Sequence, residues 1–336
     1  MSKKMFDIVI FNPPYQIEAP GTSTSDKPVY HKFLDASYKV ANVTEAITPA
    51  RFLFDAGATP SEWNKKMLND PHFKVLFFEQ DSSKVFSGTD IKGGVAITYR
   101  DANKNFDSIK VFTPYNELNT ILKKVLPVTR NGLNEIIYTQ NKFNLEVLNN
   151  DLPGLNRKDK RLESNIFKLS VFKRERTNQN DLEIIGLNKM KREKRFINKK
   201  YIDMSHENIS KYKVILPKSN GSGAIGETLS TPLIGSPLIG YTRTFIGIGS
   251  FDTRQEAENC MKYVKSKFAR TMLGVLKITQ DNNPAKWKYV PLQDFTNHSD
   301  IDWSKSIPEI DQQLYRKYGL SDEEINFIET HVKEME

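Results

Sequence analysis

The feature that most constrains this chain is an apolar run near its start, with one acid at Asp7, that ends at Asn12 just before two consecutive prolines. Residues 6–11 read FDIVIF, and Asn12-Pro13-Pro14-Tyr15 follows directly. An apolar run of this length, bounded by turn residues, predicts a strand buried on both faces of a parallel sheet. Each proline ring fixes φ and removes a backbone N–H, so the chain must leave the strand in a restricted geometry.

The residues of this turn are the types needed to activate an exocyclic amine on an aromatic base. Such an amine is a poor nucleophile because its lone pair is delocalised into the ring. The amide oxygen of Asn12 and the backbone carbonyl of Pro13 can accept its two hydrogens and aim the lone pair at an electrophilic methyl group. Tyr15 would then stack on a base extruded from a duplex. The alternative is an ordinary turn, since Asn-Pro and Pro-Pro commonly end strands.

With the preceding strand, FDIVIFNPPYQ resembles the catalytic motif of the amino-methylating DNA methyltransferases of restriction-modification systems, in which a leading Asn implies adenine. The resemblance implies Asn12, Pro13, Pro14 and Tyr15 as catalytic residues and S-adenosyl-L-methionine as cofactor. It also places Phe86 with Tyr15 on the flipped base, because the family has an aromatic residue in the loop before a late strand. A core residue at a strand end is an equal alternative for Phe86.

One segment carries the whole excess of positive charge. Residues 151–220 contain 18 Lys plus Arg against 9 Asp plus Glu, or +9 within a total of +8. Lys and Arg bind phosphates with release of counterions, so the segment predicts a face for double-stranded DNA, with a merely solvated basic surface as the alternative. The predicted DNA-binding residues, including three from a later stretch, are Lys189, Lys191, Arg192, Lys194, Arg195, Lys277, Gln280 and Lys288.

Strand and helix patterns, with helices expected over about 30–40 and 60–69, alternate up to about residue 125 and predict an α/β fold. The alternation then ends, and we expect domains at 1–127 and 128–336. The resemblance implies that the first is a partial methyltransferase catalytic domain, the distal half of a Rossmann-like sheet. The second then resembles the mixed α+β target-recognition domain of type IIG restriction-modification enzymes.

In the resembling family a glycine-containing strand, loop and helix begins the cofactor site, yet eleven residues precede Asn12. We therefore expect a split or truncated form that needs an upstream methylase or restriction polypeptide, with Phe11 able to touch the cofactor but not to hold it. Residues 221–226, GSGAIG, match G-x-G-x-x-G, but the pattern after them is not helical, so we predict a loop. The alternatives are a DNA-binding specificity module with an inactive pocket and a solitary enzyme with an unrecognised cofactor site.

Scattered histidines and the single cysteine, Cys260, give no metal-ligand spacing, so no metal site is expected. A single helical pattern over about 253–278 predicts that Cys260 is buried, and Ser321 with Glu324 predicts a capping box at the start of a later helix. The sequence contains neither a membrane-spanning run nor a secretory signal, which predicts a cytoplasmic protein without membrane partners.

Overall fold

The computed structural model describes residues 4–17, 27–54, 58–91, 93–188, 191–221, 223–277 and 280–335. It contains two compact units, Met1–Asn119 and Thr120–Glu336. The strands are β1 Phe6–Phe11, β2 Gln16–Ile17, β3 Lys27–Pro28, β4 Ala41–Pro49, β5 Phe73–Glu79, β6 Val95–Asp101, β7 Ile137–Tyr138, β8 Asp181–Asn188, β9 Lys191–Asn198, β10 Tyr212–Pro217, β11 Leu233–Gly235, β12 Ile239–Tyr241 and β13 Phe245–Phe251. The α-helices are α1 Tyr30–Val40, α2 Ser61–Leu68, α3 Asn116–Val125, α4 Leu145–Asp151, α5 Arg254–Lys265, α6 Lys267–Gly274, α7 Ile307–Lys317 and α8 Asp322–His331.

The first unit is built on a four-stranded sheet in the order β1-β4-β6-β5. β1 and β4 are parallel and are joined through α1, while β4, β6 and β5 pair antiparallel. Parallel neighbours need such a crossover because a tight turn reverses the chain. The predicted α/β fold is confirmed.

One face of this sheet carries the core of the unit. Leu34 of α1 and Trp63 and Met67 of α2 pack with Ala46 of β4 and Phe73 of β5. Side chains alternate along β4, so Thr44, Ala46 and Thr48 share the buried face. Burial of each large apolar side chain contributes about 1.5–3 kcal/mol, which fixes both helices on this side.

The prediction that residues 6–11 are buried on both faces is wrong. Within the part of the chain that the structure describes, β1 pairs with β4 alone and forms the edge of the sheet. Phe6, Ile8 and Ile10 are 53%, 57% and 73% exposed, because they project from the face opposite α1 and α2. Phe77 of β5, which shares this face through Ile97, is 44% exposed.

The second unit contains two sheets, β11-β10-β13-β7 and β12-β8-β9, followed by α5 to α8. The predicted single helix over 253–278 is wrong, since α5 ends at Lys265 and the side chain of Ser266 caps α6 by accepting from the amide of Ala269. The predicted capping box of Ser321 and Glu324 is confirmed, as is the burial of Cys260. No helix in the described ranges is long and apolar enough to span a bilayer.

Candidate functional site

The Asn12–Tyr15 turn lies at the carboxyl end of β1. Pro13 is buried, whereas Asn12 and Pro14 are exposed and Tyr15 is half-buried. The carbonyl of Tyr15 accepts a hydrogen bond from the amide of Val29 at 3.0 Å, just before α1. The turn is therefore fixed by β1 before it, by this bond after it, and by the two proline rings within it.

An open cavity of about 550 Å³ lies against this turn. β1 and β4 are parallel, so their carboxyl ends meet at one edge of the sheet, where ligand sites of α/β proteins form. The lining residues come from these two strand ends, the start of α1, the loop before α2 and the loop before β6, and they are Asn12, Pro13, Pro14, Tyr15, Gln16, Pro28, Tyr30, Pro49, Arg51, Ala58, Thr59, Asp90 and Ile91.

The two predicted stacking residues are neighbours. The ring centroids of Tyr15 and Phe86 are 6.5 Å apart, with planes inclined at 63°. At this angle the rings touch edge to face, so one ring must turn before a flat base can lie between them. The hydroxyl of Tyr15 is buried without a hydrogen-bond partner among the described atoms, and burial raises the pKa of Tyr15, which keeps its ring neutral.

The loop that carries Phe86 is held by its own polar side chains and by two glycines. The hydroxyl of Ser82 donates to the carbonyl of Thr89 and accepts from the amide of Ile91. A Cβ on Gly94 would lie 2.3 Å from the backbone oxygen of Glu79, and one on Gly93 would lie 2.6 Å from Cγ of Arg51. Glycine at both positions therefore allows the loop to close onto the end of the sheet.

Sequence reasoning missed the floor of the cavity. Tyr30 is buried there, and burial raises the pKa of Tyr30 to about 12 despite its hydrogen bond with Thr59. The hydroxyl of Thr59 donates in turn to the amide oxygen of buried Asn64 at 2.8 Å. No motif marks these residues. The topology alone brings the start of α1 and the loop before α2 to Asn12.

The predicted DNA-binding residues of β9 already have internal contacts. Arg192 donates to the carbonyl and hydroxyl of Thr231, Lys194 pairs with Glu183 at 2.7 Å, and Arg195 pairs with Glu193. Lys191, Gln280 and Lys288 are exposed. Lys189 lies outside the described residues. The role of these residues towards DNA stays a prediction.

The sequence-based expectation that the Lys277 side chain faces DNA is wrong. Lys277 is buried, and its Nζ donates to the carbonyl of Asn220 and to the carboxylate of Glu227. The same carboxylate accepts from the amides of Gly223 and Ala224. These amides of the glycine-rich loop therefore bind a carboxylate of the same chain. In the described residues no helix begins at this loop.

Residues 1–86 match the model of the Eco57I restriction-modification methylase family. This methylase-like segment includes the Asn12–Tyr15 turn, β1, β4 and Phe86. No curated protein matches the chain. Among groups of His, Cys, Asp and Glu in the described residues, none could hold a metal ion.

Two solved structures are distantly similar. The type IIG restriction endonuclease BpuSI is 12% identical over 87% of this chain and 45% of its own, with a TM-score of 0.32. The type IIL restriction-modification enzyme MmeI, solved in complex with DNA, is 9% identical over 97% of this chain and 56% of its own, with a TM-score of 0.35. The chain spans about half the length of both proteins, 45% and 56%. Neither likeness is close enough to transfer an activity or a partner.

Proposed function

We propose that the chain methylates the exocyclic amine of an adenine flipped out of double-stranded DNA, as part of a restriction-modification system. The observation that carries this proposal is the placement of Asn12 and Pro13 against a cavity of about 550 Å³ with Tyr15 on its wall. The match of residues 1–86 to a methylase family supports it.

The proposed methyl transfer depends on two hydrogen-bond acceptors of the turn. Asn12 Oδ1 and the Pro13 carbonyl accept the two amine hydrogens, which removes the lone pair from conjugation and orients it. The neutral ring of Tyr15 holds the base face by stacking, after it or Phe86 has turned. No strong base is required, because the proton leaves once the nitrogen has become cationic. The leading Asn is the reason for proposing adenine.

S-adenosyl-L-methionine is the proposed methyl donor, and the described residues do not form a site for it. Amides of the glycine-rich loop are bound to Glu227, and Phe11 packs on the core of the first unit. We therefore propose that another polypeptide segment supplies the cofactor site, and Phe11 remains the one proposed contact from this chain.

The open edge of β1 supports this second proposal. Phe6, Ile8 and Ile10 form an exposed apolar surface beside backbone groups that have no strand partner in the described residues. Proteins usually cover such an edge because it invites strand addition. A strand added parallel to β1 ends at the same sheet edge as Asn12. The loop after that strand is then close enough to hold a cofactor next to the base.

The test is S-adenosyl-L-methionine binding by calorimetry, with methyl transfer to DNA measured in parallel for the wild type, Asn12→Ala and the control Asn42→Ala. With the cofactor segment present, Asn12→Ala should lower the rate by about 10²- to 10³-fold, the usual cost of losing one such polar contact, and Asn42→Ala should not. Micromolar cofactor binding and transfer by the chain alone would refute the need for a second segment.

A DNA-binding specificity module with an inactive pocket is the second candidate, and the engagement of the glycine-rich loop amides by Glu227 favours it, because those amides then do not bind a cofactor. It predicts salt-sensitive DNA binding without any Asn12-dependent binding of 2′-deoxyadenosine. Deoxyadenosine binding that is lost in Asn12→Ala would exclude this candidate, because an inactive pocket has no need of the acceptor.

A further inference from the structure

We infer that Arg51 is a positioning residue that binds a phosphate of the target nucleotide while the base occupies the cavity beside Asn12. The inference rests on the proposed function, because it takes a nucleotide as the ligand. Arg51 follows the carboxyl end of β4, lines the cavity and is half-buried.

The path of the Arg51 side chain is fixed by its neighbours. The amide of Ala50 donates to the carbonyl of Gly94 at 3.0 Å, which ties the end of β4 to the loop before β6. Cγ and Nε of Arg51 pass the place where a Cβ of Gly93 would stand, at 2.6 and 3.6 Å. The stem of the arginine therefore lies in a channel that only glycine leaves open.

The charge of Arg51 acts on the cavity wall. Arg51 and Tyr30 both line the cavity, and the positive charge of Arg51 lowers the pKa of Tyr30 against the larger effect of burial. Among the described lining residues, Arg51 carries the positive charge and Asp90 the negative charge. An anionic group of a ligand is therefore attracted by Arg51 and repelled by Asp90.

The reaction decides which part of the nucleotide this cation binds. A guanidinium that donated to a ring nitrogen of adenine would withdraw electrons from the amine and oppose its attack on the methyl group. A phosphate lies outside the conjugated ring, so binding it has no such cost. The planar fork of donors on arginine also matches phosphate oxygens.

The experiment compares 2′-deoxyadenosine with its 5′-monophosphate, titrated into the full chain and followed by the NMR signals of the Tyr15 ring. The monophosphate should bind about tenfold more tightly, in line with hydrogen bonds to a charged group. Arg51→Met should abolish that ratio, and Arg51→Lys should keep part of it. Asp90→Asn, a charge change in the same cavity, should keep or raise it.

Equal affinities for the two probes in the wild type, or an undiminished ratio in Arg51→Met, would overturn the inference. Arg51→Gln gives the same comparison if Arg51→Met does not fold. The nucleoside binding through Asn12 with no added affinity from the phosphate would refute the role of Arg51 and leave the proposed function standing. If the monophosphate binds in an Arg51-dependent way but the nucleoside shows no Asn12-dependent binding, the role of Arg51 stands and the proposed function is refuted.

Discussion

Alanine substitutions at three glycines of the loop before β6 test how that loop is held against the cavity. Gly88, Gly93 and Gly94 all have positive φ, at 76°, 88° and 78°. An L-residue in that conformation costs about 1–2 kcal/mol in each case. The three positions differ only in what the added methyl group meets.

The space around each Cβ sets the order of the effects. At Gly88 nothing lies within 4 Å, so only the backbone cost of about 1–2 kcal/mol applies. At Gly93 the methyl group meets Cγ of Arg51 at 2.6 Å, so the arginine stem must shift from its place beside the loop. At Gly94 it meets the backbone oxygen of Glu79 at 2.3 Å and Cα of Gln80 at 2.7 Å. Overpacking of this kind adds about 1–3 kcal/mol, so Gly94→Ala should cost about 2–5 kcal/mol in all.

Urea denaturation of the three variants, with Gly88→Ala as the matched control, measures the free energy of unfolding. The same variants should be titrated with deoxyadenosine, because the Gly94 clash displaces Asp90 and Ile91 from the cavity wall. Equal losses of stability at Gly88 and Gly94 would show that the close approach to Glu79 is not what holds this loop. Unchanged nucleoside binding in Gly94→Ala would show that the loop does not shape the cavity.

Three further outcomes are expected. Burial lowers the pKa of Lys213 to about 7, so between about pH 7 and 10.5 the unfolded chain binds more protons than the folded one. The free energy of unfolding, measured by urea titration, should therefore rise with pH across that window. Lys213→Met should remove the rise. Glu227→Gln leaves buried Lys277 without its carboxylate and should cost about 3–5 kcal/mol in chemical denaturation, but much less when combined with Lys277→Met. An open apolar edge invites pairing between copies of the chain, so we expect self-association through β1 in sedimentation runs. Ile10→Lys, at an exposed edge position, should weaken that association and change stability by less than about 0.5 kcal/mol, whereas Ile17→Lys outside that sheet should not weaken it.

Much of the fold could be predicted because its signals are local. α1 and α2 follow apolar periods, and the Ser321 capping box is a short motif, so their positions agree with the sequence to within a residue or two. The single helix expected over 253–278 failed because the apolar period continues through Ser266, where only the cap geometry ends α5. Periodicity does not reveal a break whose two sides keep the same face buried.

The residues of the candidate site also differ in whether a local sequence signal identifies them. Asn12 to Tyr15 could be identified because they are contiguous and their chemistry depends on spacing. Tyr30 and Thr59 reach the cavity through the pairing of β1 with β4, which no single stretch of sequence encodes. Lys277 shows the opposite error, since the resemblance predicts a side chain that faces DNA, whereas this lysine is buried and neutralises Glu227 inside the unit.

The exposure of β1 connects the fold to the proposed chemistry. FDIVIF has the composition of a strand with two neighbours, yet β4 is its one partner among the described residues, so the segment that carries Asn12 and Pro13 is held from one side. An edge strand opens more readily than an interior one, and the two acceptors move with it. A second strand on that edge would cover Ile8 and restrict both acceptors. If the proposed cofactor-bearing segment supplies that strand, its binding and the ordering of the base-binding turn become a single event, and we expect little methyl transfer by this chain without it.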